Sequence, residues 1–187
     1  MTRFFLLLGV FAMAFTACSD DDDPIIPNEE EVITDLVYVL TPDDNSGIVT
    51  MAFSDPDGDG ADPATITVSD SLQSNTTYTG VLSLTNGSDP SDPDDITSEI
   101  REENVEHQFF FVVTGGLDAT LAYADEDDNG DPLGLVTDLT TGTATQGTIR
   151  VILRHEPDKT DSSDIGNPNA AGGETDIEVT FPVVITN

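Results

Sequence analysis

The chain has little positive charge, two histidines and no tryptophan. Five Lys and Arg stand against 37 Asp and Glu, which gives a formal net charge of −32 at pH 7. Phosphates need a Lys/Arg footprint, so nucleic acid is excluded as a partner, and binding to anionic lipid headgroups is disfavoured. With only three Tyr and no Trp, a platform for stacking sugar rings is poorly supplied. We expect partners that are cationic, neutral or bridged by a divalent metal. The simpler interpretation of the charge is solubility in salty water.

The sequence also lacks the motifs of common enzyme classes. No G-x-S-x-G, H-E-x-x-H, G-x-G-x-x-G or P-loop pattern occurs, and the single cysteine lies in the N-terminal region. A glycosidase pair of carboxylates cannot be recognised among so many acidic residues without geometry. We therefore expect a non-catalytic protein.

Residues 1–17 have the pattern of a signal peptide. Arg3 is followed by an apolar stretch over residues 4–15 and by the small residues Thr16 and Ala17. The stretch is shorter than the roughly 20 residues that cross a bilayer. Cys18 follows the expected cleavage site and is the candidate lipid-attachment thiol; the alternative is an ordinary secretory peptide that leaves a free thiol. Residues 18–30 are expected to form an acidic flexible tether. Cleavage removes one basic and no acidic residue, which leaves a net charge of about −33.

Residues 15–18 (Phe-Thr-Ala-Cys), followed by Ser19 and four aspartates, resemble the lipobox and export tag of surface-exposed lipoproteins of Bacteroidota, especially flavobacteria. Residues 106–111, 154–159 and 171–179 are similar to segments of small uncharacterised lipoproteins of that group. The resemblance implies an outer-membrane lipoprotein that is anchored through Cys18 and faces the medium. Some of these lipoproteins carry the description of a type 1 periplasmic binding fold, but this chain has too few residues and too little helical pattern for two doubly wound lobes.

Short runs of Val, Ile, Thr, Phe and Tyr between Gly, Pro, Asn and Asp clusters indicate an all-β domain over residues 31–187. We predict a single antiparallel β-sandwich, immunoglobulin-like or jelly-roll-like, with about eight strands and one short helix. The predicted strands cover residues 32–40, 47–54, 64–69, 77–86, 107–114, 118–124, 147–155 and 175–186, and the helix covers residues 94–103. Residues 109–113 are apolar on both faces, which favours a central strand whose second side is covered. In the last strand, alternation places Ile177 on the core face and Asp176 on the opposite face.

The two histidines form the sharpest chemical hypothesis. His107 shares the parity of the core residues in its strand, and His155 does so in its own. If the two strands are antiparallel, both imidazoles reach one end of the inner face, near the acidic residues Glu102, Glu103, Glu106, Glu156 and Asp158. Two histidines with Glu103 or Glu156 would suit zinc or copper, or iron if coordination positions stay open. The alternative is that strand-end histidines only hydrogen-bond to backbone or carboxylates.

Two loops match the first half of an EF-hand-type calcium loop, D-x-D-x-[DN]-G. They offer Asp55, Asp57 and Asp59 in one loop, and Asp125, Asp127 and Asn129 in the other. In both loops the twelfth position carries Ile66 or Val136 instead of the bidentate glutamate. Calcium is therefore one interpretation, and ordinary turns between strands are the other.

Two functions follow as expectations. The first is a surface-tethered binding module that captures a divalent metal or a small solute for a nearby TonB-dependent transporter. The second is a structural or adhesive β-sandwich that calcium stabilises.

Overall fold

The computed structural model describes residues 32–44, 46–58, 63–161 and 164–187. The predicted signal peptide, Cys18 and the tether lie outside the described residues, and so does Asp59. In the described ranges, no helix is both long enough and apolar enough to pass through a membrane.

The described residues form ten strands in two sheets, which confirms the all-β sandwich. In chain order they are β1 (Asp35–Pro42), β2 (Val49–Ser54), β3 (Thr65–Val68), β4 (Leu72–Gln73), β5 (Thr77–Thr85), β6 (His107–Thr114), β7 (Ala119–Tyr123), β8 (Val136–Thr141), β9 (Gln146–His155) and β10 (Glu174–Thr186). One sheet has the order β3-β2-β1-β5-β8-β7 and the other β4-β10-β9-β6. All neighbours are antiparallel except β4 and β10, which are parallel, so the wholly antiparallel prediction was wrong at that pair.

The core lies between the two sheets, because alternate side chains of each strand point inward. In β1, buried and half-buried residues alternate along the whole strand. The ring of Tyr38 in β1 packs on Phe111 in β6 of the other sheet, with centroids 5.4 Å apart. The Tyr38 hydroxyl is buried and hydrogen-bonds to the Thr137 hydroxyl at 2.5 Å, so no polar group is left unsatisfied there.

Strand β6 differs from its predicted position. It is the last strand of its sheet rather than a central one. Its second side is nevertheless covered, as predicted: Phe110 packs with Ile152 and with Ala171 of a short helix, α2 (Pro168–Ala171). Loop backbone satisfies its open edge, since the Phe109 N–H donates to the Leu133 carbonyl and the Phe111 N–H donates to the Ile165 carbonyl. The five consecutive apolar residues of β6 therefore belong to an edge strand that is enclosed by loops and a helix.

The predicted helix over residues 94–103 is present as α1 (Ile96–Glu102), which precedes α2 in the chain. Asp95 caps its N-terminus by accepting a hydrogen bond from the Ser98 N–H, and Ile96 and Ile100 are buried on one face. Helix α2 and a 3₁₀ turn at Lys159–Asp161 were not predicted. Helix α1 lies against β5, where the Thr97 hydroxyl bonds to the backbone of Leu84.

Candidate metal centre

Strands β6 and β9 bring the two histidines together. The strands are antiparallel, and His107, the first residue of β6, lies directly opposite His155, the last residue of β9. Both side chains point to the inner face of the sandwich, and as whole residues they are 0% and 4% exposed. Their rings stack with centroids 4.7 Å apart and an angle of 22° between the planes. The predicted placement of the pair at one end of the inner face is confirmed.

The carboxylate beside the histidines comes from Asp176, for which the sequence-based prediction was wrong. Regular alternation would place Asp176 on the outer face, because Ile177 points into the core. The register of β10 against β9 shifts between Thr175 and Ile177, as in a β-bulge. The extra residue breaks the alternation, and the side chain of Asp176 is 0% exposed.

The three side chains face one another over short distances. Oδ2 of Asp176 lies 3.8 Å from Nε2 of His107, and Oδ1 of Asp176 lies 3.8 Å from Nδ1 of His155. One ligand atom from each residue lies within 4.8 Å of the other two. We call His107, His155 and Asp176 the inner cluster. Donor atoms around tetrahedral zinc are about 3.4 Å apart, as bonds of 2.0–2.2 Å require. Each histidine is thus a few tenths of an ångström further from its nearest Asp176 oxygen than two zinc ligands would be from each other.

The protonation state of His107 follows from its contacts. Its Nδ1 lies 3.2 Å from the carbonyl oxygen of Glu103, and because a carbonyl only accepts, Nδ1 carries the hydrogen. Burial lowers the pKa of His107, and the hydrogen bond to Glu103 opposes this shift only in part. Burial therefore favours the neutral imidazole over the charged form. Its Nε2 carries a lone pair, is buried, and makes no hydrogen bond with any described residue.

A second group of potential ligands adjoins the inner cluster and shares His155 with it. Ligand atoms of Glu106, His155 and Glu156 also lie within 4.8 Å of one another, and both glutamates are exposed. We call these three residues the outer cluster. The backbone N–H of Glu156 donates to the carbonyl of Glu106 at 2.7 Å, which ties the two strand ends together. In the part of the chain that the structure describes, the inner and outer clusters are the groups of at least three His, Cys, Asp or Glu residues that could hold a metal.

The predicted ligands Glu103 and Glu156 lie outside the inner cluster. Glu103 is exposed and reaches His107 through its backbone carbonyl rather than its carboxylate. Glu156 belongs to the outer cluster. Its φ of +49° is unusual for a residue other than glycine. The chain therefore stops alternating directly after His155.

In the loop with Asp125, Asp127 and Asn129, the carboxylates have protein partners. Asp125 accepts hydrogen bonds from the N–H groups of Gly134 and Val136 at 2.7 and 2.9 Å. Burial raises the pKa of Asp125, and these hydrogen bonds only partly oppose the shift.

Asp127 has a cationic partner within the protein. Its Oδ1 accepts from two backbone N–H groups of the loop, and its Oδ2 lies 2.8 Å from the Lys159 ammonium. Burial by itself raises the pKa of Asp127, but the hydrogen bonds from Lys159 and the backbone outweigh it, so the pKa is lowered. Lys159 thus lies where a calcium ion would compensate the charge of Asp127.

The loop with Asp55 and Asp57 has the backbone of a tight turn. The N–H of Gly58 donates to the Asp55 carbonyl at 3.1 Å, and Asp57 is exposed. Within the described residues, neither aspartate joins a three-ligand group. Calcium at either loop stays a prediction that the described geometry does not favour over turns.

Comparison of the chain with protein-family models, with curated proteins and with solved structures finds no significant match.

Proposed function

We propose that the protein is a non-catalytic binding module of the outer-membrane surface, anchored through lipid on Cys18, which holds a divalent zinc or copper ion in the inner cluster. The observation that carries the proposal is the buried Nε2 of His107, a lone pair that faces the Asp176 carboxylate at 3.8 Å, which is longer than a hydrogen bond. A cation placed between an imidazole nitrogen and a carboxylate is attracted by both groups.

The donor set supports the choice of metal. Two imidazole nitrogens and one carboxylate oxygen suit borderline ions such as Zn²⁺ and Cu²⁺ better than calcium, which prefers six to eight oxygen ligands. The hydrogen bond from Nδ1 of His107 to the Glu103 carbonyl is the type of contact that orients metal-binding histidines and sets their tautomer. Three protein ligands leave room for a fourth, exchangeable one, as a protein that takes up and releases an ion requires.

The burial of the cluster supports an ion rather than a molecule as the ligand. A surface cavity of about 430 Å³ is lined by Tyr123, Asp125, Glu126 and their neighbours, and it includes none of the inner cluster. The net charge of −32 further raises the local concentration of cations at the surface. Export to the cell surface and delivery of the ion to a TonB-dependent transporter complete the proposal; they rest on the sequence around Cys18.

Calorimetric titration of the metal-free protein with zinc and with copper tests the proposed site. We expect one tight site per chain in the native protein and its loss in the His107→Ala, His155→Ala double variant. The matched comparison is the His107→Ala, Glu126→Gln double variant, which removes one histidine and one exposed glutamate. It keeps His155 and Asp176, so it should bind the ion weakly rather than not at all. Native protein that shows only the weak binding of exposed carboxylates would contradict the proposal.

A further inference from the structure

The geometry points to the outer cluster as a loading site, at which a divalent transition-metal ion binds first to Glu106, His155 and Glu156 and then passes inward to His107 and Asp176. This inference rests on the proposed function, because it names the route by which the inner cluster is filled. It adds a second binding position for the same class of ion, with two exposed carboxylates and one imidazole as ligands.

The need for a route follows from burial. The side chains of His107 and Asp176 are 0% exposed and that of His155 is 6% exposed. A hydrated ion therefore cannot reach His107 or Asp176 directly. His155 belongs to both groups of potential ligands, because it also lies within ligand distance of the exposed Glu106 and Glu156. Its imidazole therefore links the buried site to solvent-facing carboxylates.

The backbone explains why the two glutamates lie at the histidine. Glu106 and Glu156 directly flank the opposed pair of His107 and His155, so they are neighbours across the end of the strand pair. In a continuing strand, Glu156 would point away from the face that His155 occupies. Its φ of +49° interrupts that alternation, and the hydrogen bond from its N–H to the Glu106 carbonyl holds the arrangement.

The two clusters differ in exposure and in ligand type, and both differences favour movement of the ion from the outer to the inner cluster. The two glutamates of the outer cluster are exposed, so an ion there keeps part of its water and exchanges quickly. The inner ligands are buried, and His107 adds a second nitrogen, which zinc and copper prefer. An ion held by Glu106, His155 and Glu156 is next to the imidazole whose Nδ1 lies 3.8 Å from Asp176. It can therefore exchange its carboxylate ligands for Asp176 and His107 over a short distance.

Stopped-flow binding of Co²⁺, followed by its visible absorption, tests the loading site. We expect the Glu106→Gln, Glu156→Gln double variant to bind Co²⁺ at least about 10-fold more slowly than native protein, with release slowed in proportion and the dissociation constant changed by less than about 3-fold. The matched control is Glu102→Gln, Glu126→Gln, which removes two exposed glutamates outside both clusters; its rate should change by less than about 2-fold.

The outcomes separate the two proposals. If native protein binds Co²⁺ through the histidines but both double variants load at the same rate, the loading site is wrong and the inner site stands. If native protein shows no histidine-dependent Co²⁺ spectrum, both are wrong. As a second measurement, Asp176→Asn should keep weak Co²⁺ binding that falls by a further factor of about 10 or more when Glu106 and Glu156 are also changed to Gln. A triple variant that binds Co²⁺ as strongly as Asp176→Asn alone would contradict the outer cluster.

Discussion

His107 and His155 stack with ring centroids 4.7 Å apart because they form an opposed pair across the antiparallel strands β6 and β9. The pair lies at the strand ends, on the inner face of the sandwich, and the bulge in β10 turns Asp176 toward it. Backbone geometry therefore assembles three potential metal ligands from three separate strands. The bulge is the part of this arrangement that strand periodicity would not produce.

Asp176→Asn tests the carboxylate. Asparagine keeps the size of the side chain but supplies no charge, so we expect the affinity for zinc to fall by about 100-fold or more. Loss of a group that only hydrogen-bonds to a metal ligand already lowers metal affinity by about 10- to 100-fold. Calorimetry gives the affinity, and circular dichroism checks the fold. The control is Glu178→Gln, which removes an exposed carboxylate two residues further along β10 that pairs with Arg150. Equal affinities in the two variants would remove Asp176 from the site.

Gly173→Ala tests the backbone contact behind His155. Gly173 has a φ of +71°, and a Cβ there would overlap the carbonyl oxygen of His155. The neighbouring Gly172 has a φ of +64° with nothing within 4 Å of its Cβ position, so Gly172→Ala is a matched control that carries the conformational cost alone. We expect Gly173→Ala to lower the free energy of unfolding by about 1–3 kcal/mol more than Gly172→Ala, measured by urea denaturation. Zinc affinity should fall only in Gly173→Ala. Similar stabilities for the two variants would show that this close approach is not a constraint.

Lys159→Met tests the buried ion pair with Asp127. Both side chains are nearly inaccessible, at 6% and 0% exposed, so removal of the ammonium leaves a buried carboxylate without its cation. We expect a loss of about 3–5 kcal/mol in the free energy of unfolding. The double variant with Asp127→Asn should lose less than the sum of the single variants, because no unpaired charge remains. Additive losses in the double-mutant cycle would contradict the coupling.

The pH dependence of stability provides a further test of Asp127. The pKa of Asp127 is lowered from the ordinary value of 3.8 for an aspartate, so its contribution to stability is fully present above that pH and is lost as the pH falls through the lower, folded-state pKa. Urea denaturation between pH 5 and pH 2.5 should show a steeper loss of stability in native protein than in Asp127→Asn. Parallel curves would mean that the ionised form of Asp127 is not favoured by folding.

The sequence predicts much of the sheet because strand periodicity is local. Alternation in β6 and β9 placed the histidines on the core face, and that placement is confirmed. Strand β8 was missed because Thr and Asp occupy its exposed positions, and a run of Val-Thr-Asp-Leu-Thr-Thr has little apolar character. Strand β4 was missed because two residues show no period, and its parallel pairing depends on distant residues of β10.

The candidate site was predictable only in part, for a physical reason. The alternation of side chains along a strand predicts which histidines face the core. A β-bulge reverses this alternation, and nothing in the sequence of residues 174–178 reveals the bulge. One signal was available: two inward-facing histidines favour a nearby carboxylate, and Asp176 lies close to the chain's second Gly-Gly pair, where irregular backbone is common. The sequence analysis instead predicts Glu103 and Glu156 as ligands because they are close to the histidines in sequence. The chain turns at each strand end, so closeness in sequence does not bring these carboxylates to the inner cluster.

X-ray diffraction from crystals of the zinc-loaded protein, with anomalous data collected on both sides of the zinc edge, tests the central claim most directly. The account predicts one strong zinc peak within about 2.0–2.2 Å of Nε2 of His107, a ring nitrogen of His155 and a carboxylate oxygen of Asp176. Zinc found only on exposed carboxylates, with the inner cluster unchanged and its atoms still 3.8 Å apart, would contradict it.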